Sequence, residues 1–338
     1  MNRRAYLRMT LLLFLSMLAV AAPAQPVSTE KVKIVLGYLP LAPTAGVTVV
    51  TGAKLWKKYL PNVEIENTEA MSGMPLVNNV IAGKVDIAYF GDMPAIVLGS
   101  KRDGSSLLVG ITEADEGGSA NVYVRNASPI KSIKELDGKR VSVSFGAYTH
   151  RFTEIVAQQE KVNFKFVGQS PEVGLTSLQT GAVDAYITWP PYGALAVYRG
   201  FGKKIADGTK YSFPSVRCIV VSKAFAEKHP DVVVGWLRAE LDAHRILRER
   251  PKVAANLIYE AWKRYDVPME VVMQGFDYTS FPDDISAHSQ KVLVDGAGFL
   301  LDHKLIPQPP DFKSYIDDSF LRKAAAVPSQ LDLSQFAN

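Results

Sequence analysis

The chain has 338 residues, of which 47% are hydrophobic and 21% charged, and its formal net charge is +4. That length suits about two domains on a prior of roughly 150 residues each, and the balanced composition excludes a disordered, collagen-like or nucleic-acid-tail class. A single cysteine, Cys218, excludes an intramolecular disulfide.

The first segment differs from the rest. Arg3, Arg4 and Arg8 precede an apolar run over residues 9–22, and Ala22-Pro23-Ala24 supplies a small-x-small cleavage pattern. This order is that of a secretory signal peptide over residues 1–24, with Gln25 as the first mature residue. The run is short of the ~20 residues that a membrane span needs. Cleavage removes three arginines and lowers the net charge to +1. The mature chain then has no general electrostatic case for nucleic acid or an anionic membrane, so any preference for anions must be local. Export to a bacterial periplasm is the expected localisation. Cys218 lies in the strand-like stretch 216–221 and is expected to be buried.

Residues 31–37 alternate as an opening strand, 38–46 form a loop with Pro40 and Pro43, and a helical run passes Leu55, Trp56 and Tyr59 to stop at Pro61. Residues 63–66 alternate like a half-buried strand, and strand–helix–strand at this spacing is a βαβ unit. A short helix over 75–81 then stops at Gly83. A strand over 85–90 follows, and a turn at Gly91-Asp92-Met93-Pro94 opens a helix over 95–98. The design recurs: a helix over 173–180 stops at Gly181, a strand covers 183–188, and Trp189-Pro190-Pro191 turns into another helix. Gly83, Val85 and Asp86 match Gly181, Val183 and Asp184 at a fixed offset, which points to two related α/β lobes.

The stretch 113–119, rich in Gly and acids, marks a lobe boundary. Strands over 121–125 and 141–144 flank a helical turn at 133–140, and a loop over 145–149 precedes an amphipathic helix. The chain leaves the second lobe near residues 211–214 and returns through a strand over 217–222. Helices over 231–247, 252–265 and 286–301 complete the pattern. Lobe 1 thus takes residues 29–119 plus 219–330, and lobe 2 takes 120–218.

The segment 82–94, together with 130–140, 181–191 and 222–230, resembles four signatures, in order, of the nitrate/sulfonate/taurine group of ABC-transporter solute-binding proteins. The resemblance covers roughly residues 31–320. It implies a type II periplasmic binding-protein fold, with two α/β lobes on a hinge and a ligand cleft between them. It also implies a monomer that delivers a small organic anion to a membrane permease and its ATPase. The best expectation is an aliphatic sulfonate; taurine, nitrate, aromatic or dicarboxylic acids and thiamine-precursor pyrimidines belong to the same range.

Open α/β sheets bind ligands beyond the carboxyl ends of their strands, where helix N-termini offer unpaired N–H groups to an anion. The expected cradle is Gly146, Ala147, Tyr148, Thr149 and His150, where small residues admit the backbone and Thr149 and His150 can donate. Gly91, Asp92 and Met93 form the lobe 1 counterpart, with Asp92 read as an N-cap. Tyr38, Leu39 and Thr44 lie in the first loop, and Trp189 is placed as a flat wall. Arg217 sits inside an apolar strand and needs a partner if buried. Taurine-type relatives resemble this chain with an acid in that region, so Arg217 implies a ligand without an amine and with room for a second anionic group.

An enzyme is the rival class, because the superfamily includes pyrimidine-synthesising enzymes. No Ser/His/Asp elbow, His-x-x-x-His pair or phosphate loop appears, and His150, His229, His244, His288 and His303 are scattered. No cofactor or metal is expected. A secreted sensory subunit on the same fold is the third class.

Overall fold

The computed structural model describes residues 25–336 apart from 42–43 and 102–103. The segment expected to be a signal peptide lies outside the described residues, as does Pro43.

The first α/β unit runs β1 (Lys33–Tyr38), α1 (Ala45–Gly52), α2 (Trp56–Tyr59), β2 (Glu64–Glu69), α3 (Gly73–Ile81), β3 (Ile87–Gly91), α4 (Asp92–Gly99) and β4 (Ser106–Asp115). The second runs β5 (Asn121–Arg125), β6 (Arg140–Val143), α5 (Tyr148–Glu160), β7 (Lys165–Gly168), α6 (Pro171–Thr180), β8 (Ala185–Thr188), α7 (Tyr192–Tyr198) and β9 (Gly202–Asp207). The chain returns through β10 (Ser215–Ser222). It ends in α8 (Lys223–Lys228), α9 (Pro230–Glu249), α10 (Pro251–Trp262), α11 (Met269–Gln274), α12 (Ala287–Asp302), α13 (Phe312–Tyr315) and α14 (Ser319–Ala326).

Among the described residues the strands form two five-stranded sheets, ordered β2-β1-β3-β10-β4 and β7-β6-β8-β5-β9. In each, the first three strands are parallel and the fourth is antiparallel. The fourth strand comes each time from beyond a crossing, so the chain crosses twice. The two crossings meet backbone to backbone: the Gly208 amide donates to the Gly117 carbonyl at 3.0 Å and to the Ala120 carbonyl at 2.9 Å. Gly117 has φ +108°, and a Cβ there would stand 2.4 Å from the Gly208 carbonyl carbon. Only glycine fits.

The centre of each sheet is apolar because helices cover both faces. β3 and β10 are buried almost throughout, whereas β2 is a polar edge strand with mostly exposed side chains. Its polarity suits an edge. Cys218 is fully buried, as expected, and burial pushes its thiol well above the ordinary pKa. The chain pattern missed β4, β7 and β9. It also placed the ends of several elements late: α4 starts at Asp92 and α5 at Tyr148, each earlier than expected.

Two acids explain why Gly-x-Val-Asp occurs twice. Asp86 accepts from the Val35 amide at 2.8 Å and returns its own amide to the Val35 carbonyl at 2.9 Å, tying β3 to β1. Asp184 does the same with Arg140, at 2.9 Å in both directions, tying β8 to β6. Gly83 and Gly181 end the preceding helices at φ +66° and +80°, a backbone conformation that favours glycine. The repeat is a strand-starting device used once per lobe.

Candidate functional site

A small cavity lies where the carboxyl ends of both sheets meet. Lobe 1 lines it with Leu39, Thr44, Gly73, Tyr89, Gly91 and Pro94; the other side carries Ala147, Tyr148 and Trp189, and β10 adds Arg217. None of these is a carboxylate. The walls are mainly aromatic and aliphatic: the Tyr148 and Trp189 rings stand 6.1 Å apart, and Tyr148 stacks on Phe213 at 6.3 Å. The Trp189 indole donates to the Leu41 carbonyl at 3.4 Å, which fixes the ring across the lobes. Tyr89 is held from behind, donating to Glu240 and accepting from the Trp236 indole, both at 2.8 Å.

Three helix N-termini converge here, and they differ. At α1 the Ala45 amide donates to the Glu113 carboxylate, so this end already holds an anion. At α4 the Met93 amide donates to Asp92 Oδ1 at 2.8 Å, and Pro94 has no N–H to offer. At α5 the N-cap is Ala147, which has no side-chain acceptor. The Tyr148 and Thr149 amides there have no partner among the described residues, as the first amides of a helix lack one inside the helix. The Thr149 hydroxyl in the same turn is buried and also without a partner. The α5 end is the open one. It suits an anionic group held by backbone amides and the helix dipole.

Arg217 lines the cavity, but its charge is already balanced. Its Nη1 pairs with the Asp115 carboxylate and donates to Ser215 Oγ at 3.0 Å; its Nη2 donates to Ser119 Oγ at 2.7 Å and to the Tyr148 hydroxyl at 3.4 Å. The guanidinium also stands 5.1 Å from the centre of the Tyr148 ring. Burial alone would lower the Arg217 pKa, and Asp115 outweighs it, so the group stays charged. Burial likewise opposes the ionised Asp115, and Arg217 holds that carboxyl below the usual range. The expectation of a free charge awaiting a second anionic group is corrected by this pairing. Arg217 shapes the site and anchors Tyr148.

Of the residues singled out in the sequence, Leu39, Thr44, Gly91, Ala147, Tyr148, Trp189 and Arg217 come together at the cavity. Others stand elsewhere. Tyr38 donates to Glu69 at 3.1 Å at the outer edge of the sheet. Asp92 is the first residue of α4, not its N-cap, and Met93 is buried beneath it. Gly146 precedes the cradle at φ +76°. His150 turns away into an aromatic cluster with Phe145, Phe166 and Phe299; burial, then His303, lowers its pKa and favours the neutral ring. The ring lies among these groups and near Glu154, 3.9 Å away, and not on the cavity wall.

Sequence reasoning missed Gly73, Tyr89 and Pro94. Tyr89 is two residues before Gly91 on β3, so strand alternation offered a signal; Gly73 had none, and it is needed because a Cβ there would come 2.3 Å from Pro94. The acids Glu113 and Asp115 were visible only as a boundary, because their partners lie far along the chain.

The model of the NMT1-like family matches residues 28–259. The putative aliphatic sulfonates-binding protein of Escherichia coli (strain K12) is 24% identical over 311 residues, covering 90% of this chain and 93% of its own length. The taurine-binding periplasmic protein of the same organism is 25% identical over 338 residues, at 93% and 98%. Among solved structures, the alkanesulfonate-binding protein SsuA from Xanthomonas axonopodis pv. citri, bound to MOPS, superposes with a TM-score of 0.74 at 17% identity, covering 86% of this chain and 99% of that one. The desulfurization enzyme DSZB superposes at 0.63 and 19% identity, at 86% and 99%. The architecture is that of the periplasmic binding proteins.

Proposed function

The chain belongs to the NMT1-like family, and from that premise we propose that it is the exported solute-binding component of an ABC importer, capturing an amine-free aliphatic sulfonate. The two lobes close on the ligand, and the loaded protein delivers it to a permease and its ATPase. The names of the sulfonate-binding relatives support the ligand class. The observation that carries the reading is the open α5 N-terminus facing an aromatic-walled cavity between the lobes.

The sulfonate oxygens accept from the Tyr148 and Thr149 amides and the Thr149 hydroxyl, and the aliphatic body packs on Tyr89, Tyr148, Trp189 and Leu39. Burying a four-carbon chain gains about 0.8 kcal/mol for each methylene. An ammonium such as that of taurine meets no carboxylate on the cavity wall. Isothermal titration with butane-1-sulfonate, taurine and nitrate tests this: butane-1-sulfonate binds most tightly. At one hundred times its dissociation constant it stabilises the folded form by about 2.7 kcal/mol. Tightest binding of taurine overturns the amine-free reading.

The DSZB likeness keeps an enzyme in view. The one thiol of this chain is buried inside β10 with its pKa raised by burial, away from the cavity wall, which is the wrong setting for a nucleophile. Unchanged alkanesulfonate after prolonged incubation, followed by mass spectrometry, is the expected result. Release of sulfite contradicts it.

A further inference from the structure

We infer that Glu113 is a specificity-determining residue: by filling the N-terminus of α1 with an internal carboxylate, it makes the lobe 1 half of the cleft reject a second anionic group, so that the site takes monoanions. The inference rests on the sulfonate reading above and sharpens it.

By sheet topology α1 and α5 are equivalent. Each follows the second strand of its sheet, β1 in one and β6 in the other, and each ends at the cavity through Thr44 or Ala147. A ligand lying between them could present an anion to both. The α5 end is open. The α1 end is not: Glu113, itself 1% exposed, accepts from the Ala45 amide, which is the first of that helix. A second buried acid reinforces the effect. Glu240 sits against the same turn, where a Cβ on Gly46 would come 1.9 Å from its Oε1.

The charges facing Glu113 come from every side. Ala45 of α1 offers its amide, Arg217 of β10 offers a guanidinium already paired with Asp115, and α9 presents Glu240 and His244. Burial raises the Glu113 pKa to about 7, so the group carries its charge at pH 8. A carboxylate brought to Thr44 by a ligand therefore finds the amide taken and a like charge behind it. Like-charge juxtaposition of this kind is a strong device against the wrong partner.

The test compares two ligands of similar length by isothermal titration at pH 8, butane-1-sulfonate and the dianion 4-sulfobutanoate. The native protein binds the dianion at least about tenfold more weakly. Glu113→Gln keeps an acceptor for the Ala45 amide but removes the charge, and narrows the gap severalfold; Glu113→Ala also frees the amide and narrows it further. Equal binding of the two ligands by the native protein overturns the inference, as does an unchanged gap in whichever variant folds. Failure of the native protein to bind either ligand instead overturns the sulfonate reading and takes the inference with it.

Discussion

The two lobes are built alike and finished differently. Both sheets have the same strand order and the same direction pattern, and both start their third strand with an acid that grips the backbone of the second. Yet the helix ends they bring to the cavity are opposites: Glu113 closes α1 and Asp92 closes α4, while Ala147 leaves α5 open. The scaffold is thus duplicated where residues act on backbone, and the chemistry diverges where single side chains decide whether an amide is free. A symmetric frame carries an asymmetric site.

The largest test of this comparison falls on the crossing, where lobe 1 grips lobe 2. Arg217→Met leaves Asp115 as an uncompensated buried charge and leaves the Tyr148 hydroxyl only its bonds to Ser119; a loss of about 3–5 kcal/mol in urea denaturation is expected. A loss below 1 kcal/mol would mean that the pair is not buried in solution. Next comes the wall supplied by lobe 2. Trp189→Ala should weaken sulfonate binding by about 2 kcal/mol, or roughly thirtyfold in the dissociation constant.

The paired glycines compare the lobes directly. Gly83→Ala costs about 1–2 kcal/mol from the left-handed backbone alone, since nothing lies within 4 Å of the added Cβ. Gly181→Ala costs about the same, because the Arg125 guanidinium that its Cβ would meet at 2.8 Å is the far end of an exposed side chain and moves aside. A clearly larger loss would show that Arg125 is held in place.

The smallest contrast is between the repeated acids, and its sign differs between lobes. The hydrogen bond from Arg140 lowers the Asp184 pKa. Its contribution is in place above the unfolded carboxylate value and is lost as pH falls through the lower folded one. Burial raises the Asp86 pKa. That contribution is full at low pH and is lost as pH rises through the folded value. At pH 7, Asp184→Asn should lower Tm slightly, whereas Asp86→Asn should leave it unchanged or raise it. The same sign for both would break the distinction.

Much of the frame was legible because it is local. The Gly-x-Val-Asp repeat, the strand and helix periods and the turn at Trp189 all depend on residues a few places apart. β4 escaped because its sequence, Ser106–Asp115, runs apolar and then into acids that read as a loop. Those acids are in the strand since distant groups satisfy them: Arg217 for Asp115 and the Ala45 amide for Glu113. The turn that opens α5 was legible through its small residues, but the direction of His150 was not, because the Phe166 and Phe299 rings beside it come from other elements. Whether a helix end is open depends on a side chain some seventy positions away, and no local pattern carries that.

A crystal structure of the protein with butane-1-sulfonate tests the central claim most directly. The account predicts sulfonate oxygens within hydrogen-bonding distance of the Tyr148 and Thr149 amides, with Glu113 still bonded to Ala45. A sulfonate seated on the Ala45 amide with Glu113 displaced, or bound outside the cavity, would contradict it.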